Sequence, residues 1–368
     1  MKEYKIVLLP GDGIGPEVMA ASEVVMDAVM ESYGDIKINY TSHPTGAAHY
    51  RDTGEILPDH VTKDCVNSDA VLLSAIGLTD VRLADGTEVQ PYIMMGLRVA
   101  MDVYAGVRPC KLYPNVNSPL KDVDQGIDFV ILRENTEGLF ASQGGGSRVK
   151  GEVVGDTMLI TKKGTRRVSK FAFELAKMRN GRPQDGKKMV TCVDKANVFK
   201  SMAFFRQNFT DVAEEYPEID YEYAYIDAMT MYMVKRPASF DVVVTENMYG
   251  DILSDLGAGI VGGLGMGPSG EIGDRAMLFQ PSHGSAPDIM GQNIANPLAT
   301  ILSAKMMFDW IGFRKDDEEL RAAAYRIERA VETLLKQGDV LTPDLGGTST
   351  TSEMGDALAQ IIRQQKAI

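Results

Sequence analysis

Five short apolar runs, at 5–9, 70–74, 129–132, 189–193 and 241–245, alternate with stretches whose apolar residues recur at helical spacing, as at 165–178 and 196–207. Strands of this kind need cover, and helices with one apolar face supply it, so the alternation predicts an α/β architecture. Two longer helical stretches, 294–310 and 316–336, are predicted to pack on the sheet. The chain has 368 residues, more than one core holds at roughly 100–200 residues per domain. Two lobes are therefore expected, and a cleft between lobes is a default place for a substrate. The segment 140–161 breaks the alternation: Gly144, Gly145 and Gly146 precede GEVVGDTMLIT, which is rich in strand formers. It reads as a surface loop or as an arm that pairs with a second subunit.

Hydrophobic residues make up 44% and charged residues 24%, the proportions of an ordinary soluble globular protein. The formal net charge of −13 argues against nucleic acid as a partner, since phosphate backbones require clustered Lys and Arg. A small anionic substrate would need a local basic pocket against that background. Cys65, Cys110 and Cys192 are odd in number and far apart, which excludes a disulfide framework and zinc-type spacing and leaves them as apolar fillers in a reducing cytosol. The opening MKEYKIVLLPGDGIGPEV lacks the long apolar run of a signal peptide, and no stretch approaches the ~20 apolar residues of a membrane span. A cytoplasmic protein with no membrane partner is expected.

Within NMYGDILSDLGAGIVGGLGMGPSG, Asp251 and Asp255 stand one helical turn apart. Like charges at this spacing repel by about 0.2–0.5 kcal/mol on a bare helix, so the pair either faces solvent or holds a hard divalent cation, Mg²⁺ or Mn²⁺. Asp227, in AYIDAM at the end of a strand, could supply a third carboxylate. Arg98, Arg108 and Arg133 occupy strand-and-loop contexts and are either surface salt bridges or forks for carboxylates. Lys195, after the strand MVTCV, either snorkels to solvent or, desolvated, serves as a general base. The turn from Gly11 to Glu17 has glycines at 11, 13 and 15 rather than at GxGxxG spacing, with Pro16 suited to a first helical turn, so a tight turn is favoured over a dinucleotide loop. Further on, His283, Gly284, Ser285, Ala286 and Pro287 form a small-residue run that lets backbone approach a ligand. Asp288 can accept hydrogen bonds from ribose hydroxyls and would repel a 2′-phosphate, which favours NAD over NADP. His283 by itself also fits a structural role.

Together PGDGIGPEV, the pair LR and YAGVRP, RENTEG, DKANV, NMYGDILSDL, HGSAPDI and TPDLGGTSTTSEMGDAL resemble, in order and spacing, the β-decarboxylating dehydrogenases of isocitrate, 3-isopropylmalate, homoisocitrate and D-malate or tartrate. The resemblance runs almost end to end. It implies a two-lobed α/β fold with a nucleotide site that is not of the Rossmann type, residues 1–104 and 261–368 forming the large cofactor lobe and 105–260 the substrate and dimer lobe with an arm at 140–164. It implies NAD bound by His283, Gly284, Ser285, Ala286, Asp288, Ile289 and Asn296, and a homodimer with shared active sites. Arg98, Arg108 and Arg133 would take the carboxylates of a small dicarboxylate substrate. Asp251 and Asp255, with Asp227 of a second copy, would hold Mg²⁺ or Mn²⁺, and Lys195 of that copy would deprotonate the 2-hydroxyl.

Two departures from the family pattern matter. Isocitrate-specific members carry a serine six residues and an asparagine four residues before the first arginine, where this chain has Tyr92 and Met94. The apolar stretch Tyr92, Ile93, Met94, Met95 suits an alkyl substituent at C3, with adaptable methionines. Phe140 stands where members usually carry the tyrosine that returns a proton after CO₂ leaves. The expected activity is NAD-dependent, metal-dependent oxidative decarboxylation of a 3-substituted malate, most like 3-isopropylmalate. A D-malate or tartrate dehydrogenase, an NAD-isocitrate dehydrogenase and a non-catalytic regulatory subunit are the alternatives.

Overall fold

The computed structural model describes residues 1–143 and 145–365; Gly144 of the glycine run and residues 366–368 at the end of the predicted cofactor lobe lie outside the described residues. The chain divides into two compact units interleaved in sequence: Met1–Asp102, Tyr113–Asn117 and Gly262–Ile368 form the first, Val103–Leu112 and Ser118–Val261 the second. The first unit opens with β1 (Lys2–Gly11), α1 (Gly15–Met30), β2 (Ile36–Ser42), α2 (Ala47–Thr53), α3 (Asp59–Asn67), β3 (Ala70–Ala75) and α4 (Gln90–Met101). The second contains β4 (Ala105–Lys111), β5 (Asp128–Glu134), β6 (Ser147–Val149), β7 (Val153–Gly155), α5 (Lys162–Met178), β8 (Met189–Asp194), α6 (Lys200–Ala213), β9 (Asp220–Tyr225), α7 (Ile226–Lys235), β10 (Val242–Thr245) and α8 (Asn247–Ile260). The first unit is completed by β11 (Pro268–Ile272), β12 (Met277–Pro281), α9 (Leu298–Lys315), α10 (Glu318–Gln337) and α11 (Thr351–Gln364).

In the first unit the strands run β2-β1-β3-β12-β11, parallel except for the β11–β12 hairpin. In the second they run β4-β5-β10-β8-β9, parallel except for β4 against β5. Every residue of β3 and of β10 is buried, as parallel strands covered on both faces require. Phe129, Ile131 and Val243 enter a cluster with Leu253 and Ile260 of α8. Their alternate neighbours Val130, Leu132, Val242 and Val244 are equally buried, so both faces of this sheet are covered. The predicted α/β alternation is thus present, and the five predicted strands correspond to β1, β3, β5, β8 and β10. Within the 140–161 segment, β6 and β7 pair as an antiparallel ribbon.

Boundaries follow local chemistry. Thr161 caps α5 by accepting from the Gly164 amide at 3.0 Å, and Thr350 with Glu353 forms a capping box at α11. The predicted helix at 196–207 starts later, at Lys200, because residues 195–199 close a turn in which the Val198 and Phe199 amides both reach the Lys195 carbonyl at 3.0 Å. Arg98 lies in the last turn of α4 and not in a loop or strand as its context was read. Pro91 fits the first turn of that helix, and Ile93, Met94, Leu97 and Met101 bury one side of it. The three cysteines are free and buried. No helix among the described residues is long and apolar enough to cross a membrane.

Close approach of α8 to its sheet depends on two glycines seven residues apart on one face. A Cβ at Gly257 would stand 2.4 Å from the Cys110 Sγ. Alanine in a helix gains about 1 kcal/mol over glycine, whereas forcing a methyl into a packed core costs about 1–3 kcal/mol. Gly257→Ala is therefore expected to lose stability by about 1 kcal/mol, with the overpacking penalty winning. Cys110→Ala in the same chain should recover the loss, as read from urea unfolding midpoints.

Candidate active site

The same glycine spacing sets Arg133 under α8. A Cβ at Gly250 would meet the Arg133 Cβ and Cγ at 2.7 Å, so glycine leaves room for the stem of this side chain. Arg133 ends β5 and is 3% exposed. Its Nε and Nη2 donate to the Asn247 Oδ1 at 2.9 and 2.7 Å, and its Nη1 forms an ion pair with Asp251. The ring of Phe140 lies 5.1 Å from its Cζ, within reach of a cation–π contact. Asp255 follows one turn after Asp251. Partial desolvation, then the Asp251 charge, push its carboxyl above the ordinary range, against the pull of Arg108 and Arg133. Arg108, on β4, is 6% exposed. Asp251 and Asp255 beside two arginines form a pair of hard oxygen donors one helical turn apart, and a divalent metal fits that chemistry.

Lys195 and Asp227 also lie in the second unit and meet directly, the Lys195 Nζ donating to the Asp227 Oδ1 at 2.6 Å. That hydrogen bond is the main cause holding the Asp227 carboxyl below the ordinary range. Lys195 follows β8 and Asp227 opens α7, so adjacent parallel strands deliver both groups at one end of the sheet. Asp227 does not join Asp251 and Asp255. Among the described residues, no three His, Cys, Asp or Glu side chains stand close enough to hold a metal ion by themselves.

In the first unit, Asp12 organises the predicted tight turn. Its carboxylate accepts from the Ala47, Ala48 and Gly77 amides at 2.7, 2.9 and 2.8 Å. The Ile14 amide donates to the Ser285 carbonyl at 2.8 Å, and the Ser285 hydroxyl donates to the Gly77 carbonyl. The early glycine turn therefore braces the His283–Ala286 loop. Gly11 and Gly13 take φ of 73° and 59°, and a Cβ at Gly13 would lie 1.9 Å from the Ser285 carbonyl oxygen.

His283 places its Nδ1 2.9 Å from the Gly284 carbonyl and leaves a buried Nε2 without a hydrogen-bond partner. Burial holds its pKa below the ordinary value, so the ring is neutral near pH 7 and, with Nδ1–H facing the carbonyl, Nε2 is an acceptor. Ala286 adopts a left-handed φ of 39°, and Asp288 is exposed. An orphan acceptor and an open carboxylate beside a left-handed turn fit the chemistry of a dinucleotide's adenosine end. Ile289 packs beside Ile14 and Val18. Asn296 turns inward, its Nδ2 donating to Asp344 at 2.9 Å and its Oδ1 accepting from the Leu298 amide at 2.9 Å.

On α4, Tyr92 and Met95 are half-buried, whereas Met94 is 8% exposed and belongs to the core. Arg98 donates from Nε and Nη2 to the two oxygens of Glu271 at 3.0 and 2.6 Å. Sequence reasoning left out Asp12, Asn247, Glu271 and Asp344. Asp12, Asn247 and Asp344 sit inside motifs that were recognised as wholes, but the partners of each are remote in sequence and only folding reveals them.

The isocitrate/isopropylmalate dehydrogenase family matches residues 5–358 of the chain. The 3-isopropylmalate/3-methylmalate dehydrogenase of Methanocaldococcus jannaschii is 42% identical over 98% of this chain and 100% of its own length. The 3-isopropylmalate dehydrogenase of Archaeoglobus fulgidus is 40% identical over 97% of this chain and 99% of its own. Among solved structures, the isocitrate dehydrogenase of Methylococcus capsulatus superposes with a TM-score of 0.86 at 34% identity, covering 98% of this chain and all of that one.

The bracing of the His283 loop by the glycine turn is testable. Gly13→Ala should cost about 1–2 kcal/mol for its left-handed conformation alone and displace Ser285. The expected signature is a tenfold or greater rise in KM for the dinucleotide with a smaller change in KM for the hydroxy acid. Equal changes in both would show that the turn acts only through global stability.

Proposed function

The chain belongs to the isocitrate/isopropylmalate dehydrogenase family, and from that premise we propose that it catalyses NAD-dependent, Mg²⁺- or Mn²⁺-dependent oxidative decarboxylation of a 3-substituted malate, most like 3-isopropylmalate. The observation that carries this reading is the assembly at the end of β5, where buried Arg133 meets Asn247 and Asp251, with Asp255 one turn on. It sets a carboxylate-binding fork beside a pair of metal-binding oxygens. The 42% identity to a protein named for both 3-isopropylmalate and 3-methylmalate supports an alkyl group at C3. So do the half-buried Tyr92 and Met95, against which an unpartnered carboxylate would be costly to bury.

In this reading Arg98, Arg108 and Arg133 bind and orient the two carboxylates of the malate core. A divalent cation held by Asp251 and Asp255, with Asp227 of a second copy, would polarise the C2 oxygen as a Lewis acid, and bound NAD would accept the hydride. Lys195 of that second copy takes the proton of the 2-hydroxyl, its ammonium form then being stabilised by Asp227. His283, Gly284, Ser285, Ala286 and Ile289 shape the adenosine end of the cofactor site. Asp288 accepts from the ribose hydroxyls and disfavours a 2′-phosphate, and Asn296 supports the loop through Asp344. Phe140 keeps an aromatic face against Arg133 but has no proton to give the carbon that loses CO₂.

A second copy is supported by the ribbon of β6 and β7, where Val149, Val153 and Val154 are 53%, 59% and 68% exposed. An isolated two-stranded ribbon is marginal in water, and apolar residues on its surface call for a partner. Replacing Val153 and Val154 by Asp should convert dimers to monomers in sedimentation equilibrium and abolish turnover, because Lys195 and Asp227 would no longer reach a neighbour's Asp251.

The test of the activity is a panel of malates with hydrogen, hydroxyl, methyl, isopropyl or carboxymethyl at C3, assayed for NADH with Mg²⁺ or Mn²⁺. Alkyl malates should be oxidised fastest, and a preference for isocitrate would overturn the substrate reading. With the preferred substrate, NADH should precede the decarboxylated product, since a general acid contributes typically 10²–10⁴-fold to its step. Phe140→Tyr should shorten that lag more than it speeds hydride transfer in single turnover.

A further inference from the structure

The segment that follows His283 is fixed at two points by the start of α1. At its front the Ile14 amide donates to the Ser285 carbonyl at 2.8 Å. At its rear the Asn293 amide donates to the Glu17 Oε2 at 3.3 Å, and positions three apart on a helix are neighbours on one face. Between these points Ala286 and Ile289 rest on a cluster of Ile14, Val18 and Ala295, whereas Pro287, Asp288, Met290, Gly291 and Gln292 are exposed. A span with so few buried contacts of its own takes its course from where its ends are held.

Asn293 is held from more than one side. Its φ of 55° is left-handed, a region asparagine enters more readily than most residues with a side chain. Its backbone carbonyl accepts from the Thr351 amide at 2.9 Å, and its Oδ1 accepts from the Ser352 amide at 3.1 Å. Thr351 and Ser352 open α11, and the first N–H groups of a helix have no partner within it. Asn293 therefore satisfies two of them, beside the Thr350–Glu353 capping box. Its Nδ2 also donates to the Ser352 Oγ at 2.9 Å, and the Thr351 hydroxyl donates to the Ala295 carbonyl at 2.6 Å. Since α11 packs closely on α1, where a Cβ at Gly355 would stand 3.0 Å from the Ala21 Cβ, the partners of Asn293 belong to one packed helix pair. Gln292 carries the anchor forward, its amide donating to the Ile289 carbonyl at 3.2 Å and its Nε2 to the Asp288 carbonyl at 2.9 Å.

We propose that Asn293, with Glu17 and the first turn of α11, is the rear anchor of the cofactor segment and a positioning residue for the dinucleotide: it holds the Asp288–Ile289 turn so that Asp288 meets the adenosine ribose. The proposal rests on the reading that residues 283–289 hold NAD. A segment that must be ordered at the moment of binding weakens the complex. Anchoring at Asn293 completes that ordering beforehand, and it gives Asp288 the fixed place from which a 2′-phosphate is disfavoured.

The test uses the full-length protein with Mg²⁺, NAD and 3-isopropylmalate. Asn293→Gly keeps the left-handed backbone and removes the side-chain bonds to Ser352. It should raise KM for NAD about tenfold, with kcat and KM for the hydroxy acid changing less than about threefold, and should lower the ratio of kcat/KM for NAD to that for NADP. Asn293→Asp keeps an acceptor for the Ser352 amide at a helix end that favours negative charge, and its KM for NAD should stay within about threefold of the original. A folded Asn293→Gly protein with a lower urea midpoint but unchanged KM for NAD and unchanged cofactor ratio has lost only a structural contact, and overturns the proposal. If Asn293→Gly does not fold, Glu17 decides: a higher KM for NAD in Glu17→Leu than in Glu17→Gln, which keeps the acceptor, supports the anchor, and equal values overturn it. Absence of NAD binding by the original protein in calorimetry would refute the cofactor reading. Amide hydrogen exchange would then test the anchor alone: faster exchange at Ile289 and Gln292 in Asn293→Gly supports it, and no difference overturns it.

Discussion

A buried arginine must be buried with its acceptors, and this requirement shapes the candidate site more than any other. Removing a guanidinium from water costs several kcal/mol unless carboxylates and carbonyls replace the lost solvent. Arg98, Arg108 and Arg133 are 6%, 6% and 3% exposed, so none is a surface salt bridge. The backbone around them accommodates their partners: Gly250 opens α8 for Arg133, and the β11–β12 hairpin raises Glu271 to Arg98. Charges so paired are poor evidence for extra stability. They are better understood as groups kept in fixed orientation within their own units, as the proposed binding of carboxylates requires.

The carboxylates then fall into two kinds. Glu271 and Asp12 are enclosed, and each holds its partner, Arg98 or backbone amides, through more than one bond. Asp251 and Asp227 are open, with side chains 48% and 68% exposed, and each is paired with a cation that has another role in the proposed chemistry. The Lys195–Asp227 pair is the more open of the two, and an open ion pair is worth at most about 1 kcal/mol, so the metal proposed above would compete with Lys195 for this carboxylate. The enclosed set gives the site its shape, and the open set is free to change partners.

Much of the fold was legible because its signals are local. Apolar runs of strand length, helical periodicity, Pro16 at a first turn and the Asp251–Asp255 spacing each involve residues within a few positions of one another, and the elements they predict are present, with some helix ends displaced by a few residues. Pairings across the chain were not legible. Nothing near Arg98 announces Glu271, 173 residues away, and the context of Arg98 was misread as loop or strand although the i, i+3, i+4 pattern of Ile93, Met94, Leu97 and Met101 marks a helix. The turn at Gly11–Gly15 is tight as expected, yet its bracing of Ser285 depends on a contact no sequence window contains. Asn296 shows the converse: its place in a recognised motif pointed to the cofactor, while its amide caps α9 and holds Asp344.

Phe140 bears on how far the family likeness carries to chemistry. The residue keeps the ring that a guanidinium can lie against, and the 5.1 Å separation from Arg133 preserves that packing. What is lost is one hydroxyl, and with it one proton at one step. In the proposed reaction, carboxylate binding and removal of the hydroxyl proton fall to Arg98, Arg108, Arg133 and Lys195, none of which departs from the pattern the resemblance implies. A substitution confined in this way separates two halves of a reaction that most catalytic changes disturb together. Buried near the same loop is Glu246, whose Oε1 caps α8 through the Tyr249 amide at 2.7 Å and whose carboxyl burial pushes above the ordinary range. Because that carboxyl serves a helix cap and is enclosed, the consequence of the missing hydroxyl should fall on the protonation step itself rather than on the architecture that surrounds it.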